Sequence, residues 1–291
     1  MRLLDALIFG LTLGGTYALV ALGLNLQYGV ARILNLAYGE MLIAAAFAGL
    51  LLYTSAGLSP LLCAVVILVP AMLIGGMLYK FAFVPLVKRA PSQDALEGDT
   101  ILSTFGLLFV MQGVMLAIFG GNYMSYSFLA TPVQLGPTVV AANRLVAMVA
   151  AVILGGLLFW MLKATRVGTA LRGVAVSPTS APLVGIDVRQ FGMWAFALGT
   201  GLVAVAGVLT SMFSTFSATM GVMFTMKALI VVIMGGVGNF AGCVAAAVLL
   251  GVTESLVSAF IDPSLTLASN YAIFLLVLVF KPAGLFGSET R

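Results

Sequence analysis

Long apolar stretches dominate this chain, and only short polar, glycine-containing or proline-containing segments interrupt them. Of the 291 residues, 62% are hydrophobic and only 8% are charged, whereas soluble domains carry about a quarter charged residues. An α-helix needs about 20 apolar residues to cross about 30 Å of hydrocarbon. The sequence therefore predicts an all-α polytopic membrane protein, with residues 1–291 forming a single transmembrane domain.

Nine apolar segments are candidate spans, and the seventh differs from the rest. Its apolar core, Ala228 to Met234, is short and is followed by Gly235, Gly236 and Gly238, which disfavour a continued helix. We therefore expect about eight or nine transmembrane helices, with one glycine-broken segment. The nine segments are residues 5–28, 36–53, 60–80, 101–119, 143–162, 190–213, 225–240, 241–260 and 264–280.

The basic residues predict how the chain is oriented. Two polar connections, Lys80–Asp99 and Lys163–Arg189, hold many of them, and lysine and arginine collect in cytoplasmic loops. The amino terminus is then outside and the turn at Arg32 inside. The tail at Lys281 is expected inside as well. From an external loop at residues 214–224 this requires an odd number of crossings, so either the glycine-broken seventh segment crosses or the tail is outside. We favour a crossing, because unwound backbone is tolerated at membrane depth when it lines a protein cavity.

Several kinds of chemistry are poorly supplied. The chain has no histidine, which is the usual general base and the commonest metal ligand. Cys63 and Cys243 lie in apolar runs, so neither a disulfide framework nor a metal cluster is predicted. The glycines after Met234 lack a lysine at P-loop spacing, so no ATP site is predicted. We expect no enzymatic activity, no bound cofactor or metal and no nucleic-acid partner, since basic cytoplasmic loops account for the net charge of +4.

Two carboxylates, Glu40 and Glu254, lie in apolar segments, where a charge at the helix centre costs roughly 2.5 to 3.5 kcal/mol. For Glu40, two interpretations stay open. It is held structurally by Arg32, Asn35 or the first turn of its own helix, or the segment Asn35 to Glu40 lines or gates a pathway. Glu254 either packs against another helix through hydrogen bonds or lines the same pathway.

The connection Lys163–Arg189 contains a helical pattern. Its apolar residues recur on one face, which predicts a short amphipathic helix, and Ser177 before Pro178 can cap a second one that Gly185 could close. Pro182 strains that second helix unless it begins later. Such a pair of helices could lie on an anionic lipid surface or form a docking surface for a partner protein. The apolar face comprises Val167, Ala170, Leu171, Val174 and Ala175, with Arg166, Thr169 and Arg172 on the other faces.

Several motifs, taken together and in order, resemble those of the high-affinity branched-chain amino acid ABC permeases. The opening segment ends in Asn-Leu-Ala-Tyr-Gly-Glu at residues 35–40, where the family reads Asn-Phe-Ala-His-Gly-Glu. The segment TSAPLVGIDV resembles the loop by which ABC importer permeases engage their ATPase, although Thr179 stands where an acid is expected. Tyr38 and Gly173 also depart from the family pattern. The further motifs, in order, are ILSTFGLLFVMQG, GTALRGVAVSP, PLVGIDV, GGVGNFAGCVAAAVLLGVTES and KPAGLFG.

This resemblance implies the ABC importer permease fold in a bacterial inner (cytoplasmic) membrane, and a subunit that conducts branched-chain amino acids or related small polar or amphipathic solutes. It implies a second permease subunit, related or identical, two cytoplasmic ATPase subunits that use ATP and Mg, and a periplasmic substrate-binding protein. A proton- or ion-coupled secondary transporter that uses Glu40 or Glu254 is the alternative, and the basic loop argues against it, because such a carrier docks no motor.

The resemblance also implies two sets of functional residues. The loop 163–189 would couple to the ATPase, and the other set would line or gate the translocation pathway. The coupling residues are Arg166, Arg172, Gly173, Val174, Ser177, Ala181, Gly185 and Ile186. The pathway residues are Asn35, Tyr38, Gly39, Glu40, Gly235, Gly236, Gly238 and Glu254.

Overall fold

A computed structural model describes residues 2–89, 92–135 and 138–286, and in these ranges most residues are helical. Eight of the helices are long and apolar enough to cross a membrane, which confirms the expected all-α polytopic class. The helices are α1 (Arg2–Ala31), α2 (Tyr38–Ala56), α3 (Pro60–Leu78), α4 (Val84–Arg89), α5 (Gln93–Phe119), α6 (Ala142–Ala164), α7 (Arg166–Val176), α8 (Val188–Ser211), α9 (Gly221–Gly235), α10 (Phe240–Phe260) and α11 (Thr266–Phe280).

Helices α1 and α8 form the centre of the bundle. In the most apolar part of α8, 78% of residues are buried, compared with 6% in the last span. Helix α10 packs closely along α1, because small residues on both sides let the backbones approach, as at Gly14 and Gly251. Helices α3, α5, α6 and α11 turn many apolar side chains outward. The apolar surface of the protein thus lies around a well-packed core, as a lipid environment requires.

The polar connection predicted over Lys80–Asp99 is shorter than expected, because helices occupy most of this segment. Helix α3 continues through one π-helical turn, Tyr79–Phe83, directly into α4, which ends at Arg89. Helix α5 begins at Gln93, where the Ser92 hydroxyl accepts a hydrogen bond from the Ala95 N–H. The charged residues of this region therefore extend the helices beyond their apolar segments, and charge alone does not end a helix.

A short β-hairpin between α5 and α6 was not predicted. Strand β1 (Pro132–Leu135) pairs antiparallel with strand β2 (Thr138–Ala141). In the same connection, Met124 forms an isolated β-bridge with Phe216, which lies in the loop after α8. The hairpin and the two loops together lie at the end of the bundle where α5 and α8 finish.

The two ends of the bundle differ in charge as the orientation argument requires. Following the helices in order brings most basic residues to one end, which we assign to the cytoplasm. The tail returns to this end, since the Leu285 N–H donates to the carbonyl of Met234 over 2.8 Å. Arg144, at the start of α6, lies at the opposite end. The basic residues at the cytoplasmic end are Arg32, Lys80, Lys88, Arg89, Lys163, Arg166, Arg172, Arg189 and Lys281.

Helix α9 has only 15 residues, about 22 Å in length, and the loop 212–220 leads into it from the outer end. Its carboxyl end reaches the cytoplasmic end of the bundle, where the Gly238 N–H donates to Asn25 Oδ1 of α1 over 2.7 Å. The seventh segment therefore completes a crossing as a loop followed by a short helix. The tail therefore lies at the end of the bundle that we assign to the cytoplasm, where the sequence analysis expected it.

Candidate translocation site and cytoplasmic docking surface

Helix α2 begins deep in the bundle. The Tyr38 hydroxyl lies 2.9 Å from the carbonyl oxygen of Val20 in α1 and 3.2 Å from that of Gly199 in α8. Each of these carbonyls lies eleven residues from the cytoplasmic end of its helix, a distance of about 16 Å at a rise of about 1.5 Å per residue. Two independent helices thus place the Tyr38 hydroxyl near the middle of the membrane.

The chain between α1 and α2 climbs to this depth as irregular backbone that side chains hold. Asn35 Nδ2 donates to Gln27 Oε1 over 3.3 Å, and Asn35 Oδ1 accepts from the Ala37 N–H over 3.2 Å. Gln27 in turn donates to Thr200 Oγ1 and to the carbonyl of Phe196 in α8. Both amide side chains are fully buried, and these bonds satisfy polar groups that are shielded from solvent.

The amino-terminal ends of α2 and α9 meet at a very close contact. The Gly39 N–H donates to Thr225 Oγ1 over 2.8 Å, and that hydroxyl lies 3.2 Å from the carbonyl oxygen of Leu36. A methyl group at Gly39 would overlap the carbonyl oxygen of Gly221, and one at Gly221 would overlap the carboxylate of Glu40. A side chain at Gly39 would therefore force the two helix ends apart, and one at Gly221 would displace the Glu40 carboxylate.

Glu40 is fully buried at this contact, and neither of its carboxylate oxygens has a hydrogen-bond partner among the described residues. The partners that the sequence suggested are engaged elsewhere. Arg32 Nη2 donates to the carbonyl of Ala175, and Asn35 bonds Gln27. Glu40 does lie in the first turn of α2, where the helix dipole favours a carboxylate. No side-chain bond among the described residues explains its presence.

Glu254 has partners on three other helices. Lys227 of α9 lies 2.8 Å from its Oε1, and Tyr17 of α1 and Asn270 of α11 donate to its Oε2 over 3.1 and 3.0 Å. The hydrogen-bonded packing considered for Glu254 is thus present. No role was predicted for Lys227 from the sequence. A single cation in one apolar segment and a single anion in another could have predicted this pair, because each charge is costly in the membrane without the other.

The glycines after α9 lie away from the mid-membrane contact. Gly235 ends α9 and packs against Gly242 and Cys243 at the start of α10. Gly236 and Gly238 have positive φ angles of 96° and 81° and form the turn between the two helices. The structure therefore places this part of the predicted pathway set at the cytoplasmic end. The irregular backbone at depth precedes α9 instead.

The loop 163–189 folds into a helix and a turn that cover the cytoplasmic end. Thr165 caps α7 by accepting from the Gly168 N–H over 3.0 Å, and Leu171 and Val174 are buried beneath it. Val167, expected on the same face, is 45% exposed. Its place on the buried face is taken by Gly168, which packs against Met161 and Leu162 at the sharp bend from α6.

The second element of this loop is a single 3-10 turn, Ala181–Val184, that Gly185 closes with a φ of +80°. It begins late enough to take Pro182 into its first turn, as the sequence required. Ser177 Oγ accepts from the Ser180 N–H over 3.2 Å. The Ile186 N–H donates to the carbonyl of Ala181, which holds the end of the turn in place.

Three apolar side chains project from this end of the protein. Leu183 is 86% exposed, Val176 83% and Val184 75%, while Ala181 behind them is buried. Arg166 and Arg172 on α7 are exposed beside them, and Gly173, Ser177 and Ile186 are half-buried. The loop therefore presents an apolar tip with basic residues next to it. We call Val176, Leu183 and Val184 the cytoplasmic tip.

Comparison with known proteins identifies the class. The chain is a multi-pass helical membrane bundle with an irregular entry into a short helix. Residues 6–280 match the family described as branched-chain amino acid transport system / permease component, and the chain belongs to that family.

Individual relatives agree with this assignment. The chain is 26% identical to the high-affinity branched-chain amino acid transport system permease protein LivH of Salmonella typhimurium, over 96% of this chain and 93% of that protein. It is 28% identical to the inner membrane ABC transporter permease protein YjfF of Escherichia coli, over 77% and 67%. The solved structure of PsaBC from Streptococcus pneumoniae in complex with Fab shares the fold, with a TM-score of 0.53 and 16% identity, over 98% of this chain and 94% of that chain.

These findings establish the protein as a LivH-like permease subunit of an ABC importer, with the all-α fold of that class, in the bacterial inner membrane. Permease subunits of this family are not themselves enzymes, and they act with partner subunits in an ATP-driven system. The alternative of a stand-alone proton- or ion-coupled carrier is therefore set aside.

Proposed function

We propose that this subunit forms one side of a translocation pathway for branched-chain amino acids, supplied by a periplasmic binding protein and driven by two cytoplasmic ATPase subunits. A second permease subunit, related or identical, completes the pathway. The observation that carries the proposal is the cytoplasmic tip. Exposed aliphatic side chains such as Leu183 at the end of a membrane protein favour a protein partner, because contact with water is unfavourable for them and a partner would bury them. ATP and Mg then bind to the partner subunits.

The tip is connected to the centre of the subunit. Arg32, between α1 and α2, donates to the carbonyl of Ala175 near the end of α7 over 3.2 Å. From Arg32 the buried segment runs directly to Tyr38 and Glu40 at mid-membrane depth. Movement of the docking loop by the ATPase subunits would therefore pull on the segment that ends at the contact between α2 and α9. The docking loop is thus connected to the contact between α2 and α9 by one hydrogen bond, from Arg32 to Ala175, and by the short segment that follows Arg32.

Glu40 and Gly221 are the gate in this proposal. In the closed arrangement the two helix ends touch, and the carboxylate is buried without a donor among the described residues. Burying such a group raises the free energy of this arrangement. A second arrangement, in which α2 and α9 separate and the carboxylate meets water or a cationic group, relieves that penalty. The same separation opens a passage beside α8. In the closed arrangement, Asn35 bonds the segment after Arg32 to α1, and the Tyr38 hydroxyl bonds it to α1 and α8.

The experiment is reconstitution of the wild-type subunit with its second permease and ATPase subunits in nanodiscs, followed by titration with binding protein loaded with leucine. ATP hydrolysis should rise at least several-fold with loaded binding protein and much less with the empty protein. Equal hydrolysis with loaded, empty and absent binding protein would contradict the proposed role. Replacing leucine by an organic cation of similar size provides the substrate control.

A further inference from the structure

A cavity of about 570 Å³ lies at the outer end of the bundle, away from the Glu40 contact. Small-molecule sites commonly have volumes of about 300 to 1,000 Å³. Its lining combines charged and hydroxyl side chains with apolar ones. The cavity is bounded by the start of α1, the start of α6, the loop after α8, the end of α10 and the segment leading into α11.

Arg144 lines this cavity and has no ion-pair partner among the described residues. The centre of its guanidinium lies 5.0 Å from the ring of Phe9 and 5.7 Å from the ring of Phe213, which hold the planar group by cation–π contact. Across the ranges 2–89, 92–135 and 138–286, no carboxylate pairs with it and no oxygen accepts from its five N–H donors. Basic residues are disfavoured on the outer side, so this one needs a reason.

An unpaired anion lines the same cavity. Asp5 of α1 is half-buried there and has no cationic partner in the described part of the chain. Glu254 also contributes to the lining, but Lys227 already neutralises it. Among the described residues, the cavity lining therefore offers one positive and one negative group without an ion-pair partner, together with the apolar side chains of Phe9, Leu13 and Phe213.

We propose that this cavity receives a zwitterionic aliphatic amino acid before it moves inward. Arg144 pairs with the α-carboxylate, for which the guanidinium geometry is suited, and Asp5 faces the α-ammonium. The aliphatic side chain lies against Phe9 and Leu13. This inference rests on the proposed function and adds the site of entry and the chemical groups that the permease itself recognises.

The position of the cavity fits a first stop on the way to the gate. Ser214, in the loop after α8, lines this cavity and also a much smaller one whose walls include Leu42, Ile43 and Phe224. Ile43 lies one turn of α2 beyond Glu40. The Ser214 loop is thus the layer of protein between the outer cavity and the closed contact of α2 with α9.

The test measures binding of labelled leucine to the complete permease–ATPase complex in nanodiscs, without binding protein, so that only the permease selects. Unlabelled leucinamide lacks the carboxylate, and 4-methylpentanoate lacks the ammonium. For the wild-type complex, each should displace leucine at least tenfold more weakly than leucine itself does. Arg144→Gln should weaken leucine binding at least tenfold and make leucine and leucinamide equivalent. Asp5→Asn should make leucine and 4-methylpentanoate equivalent.

The matched control is Lys80→Gln, which removes a cation near a phenylalanine ring at the cytoplasmic end and should bind leucine as the wild type does. Wild-type leucine binding by an assembled Arg144→Gln complex would overturn the inference. Should that variant fail to assemble, Asp5→Asn and the analogue series on the wild type decide.

Equal displacement by all three compounds, or no leucine binding, would also overturn the inference. If the wild-type complex still imports leucine with ATP, the proposed function survives that result. If the wild type imports no amino acid, both fail.

Discussion

The ammonium of Lys227 lies 2.8 Å from Oε1 of Glu254, and this ion pair joins the short helix α9 to α10 inside the membrane-spanning bundle. The Lys227 ammonium also donates to the Tyr17 hydroxyl over 2.7 Å and lies 4.7 Å from the centre of that ring. Asn270 adds α11 to the same group of side chains. Four helices are therefore held together by one polar cluster in which both charges are compensated.

Glu254→Gln should destabilise the subunit, because it leaves Lys227 as a buried cation without a counter-charge. The two side chains are only 13% and 14% exposed, and breaking a buried pair costs about 3 to 5 kcal/mol. The midpoint of thermal unfolding in detergent should fall accordingly. The double variant Lys227→Met with Glu254→Gln should recover much of the loss. A double variant less stable than Glu254→Gln would show that the charge pair is not the cause.

Glu40→Gln should leave stability unchanged or slightly higher, because no hydrogen bond to the carboxylate is lost among the described residues. An amide is also cheaper to bury than a charge. Uptake of leucine per assembled complex should nevertheless fall tenfold or more, since the carboxylate acts when α2 and α9 separate. Thermal unfolding and uptake are measured on the same preparation. Lower stability with unchanged uptake would assign Glu40 a structural role.

Gly39→Ala should weaken the contact between α2 and α9. The added methyl group meets the Gly221 carbonyl and Thr225, and overpacking of this kind costs about 1 to 3 kcal/mol. Gly106→Ala is the control, because the space around Gly106 in α5 is open, and alanine there should stabilise the helix by up to about 1 kcal/mol. Opposite shifts of the unfolding midpoint are expected. Equal shifts would mean that the close contact is not tight.

Leu183→Ser should release the ATPase subunits without unfolding the permease, because this side chain is almost fully exposed at the cytoplasmic tip. Ile261→Ser removes a 70% exposed aliphatic side chain at the outer end and is the matched control. Size-exclusion chromatography of the detergent-purified complex should show loss of the ATPase subunits only for Leu183→Ser. Retention of those subunits by both variants would place the docking surface elsewhere.

The sequence predicted the spans well where apolar length alone decides them. The segments 36–53 and 241–260 correspond closely to α2 and α10, because an apolar run about 20 residues long has few alternatives to a transmembrane helix. The turn closed by Gly185 was also predictable, since a glycine after a proline-containing turn indicates a left-handed C-cap.

Depth and partners could not be read in the same way. That Tyr38 begins its helix at mid-membrane depends on contacts with Val20 and Gly199, which are remote in sequence. That Glu40 has no donor in the described part of the chain depends on where the side chains of Arg32 and Asn35 point. The pairing of Lys227 with Glu254 was within reach, because two opposite charges in apolar segments are each too costly alone.

We propose that this subunit imports branched-chain amino acids by using ATP hydrolysed in partner subunits. The most direct measurement is uptake of labelled leucine into proteoliposomes that contain the whole complex, with loaded binding protein on the same side as the leucine and no ion gradient. ATP supplied on the side of the ATPase subunits should drive accumulation of leucine above its external concentration, and its removal should stop uptake. Uptake that needs a proton gradient and continues without ATP would contradict ATP-driven import.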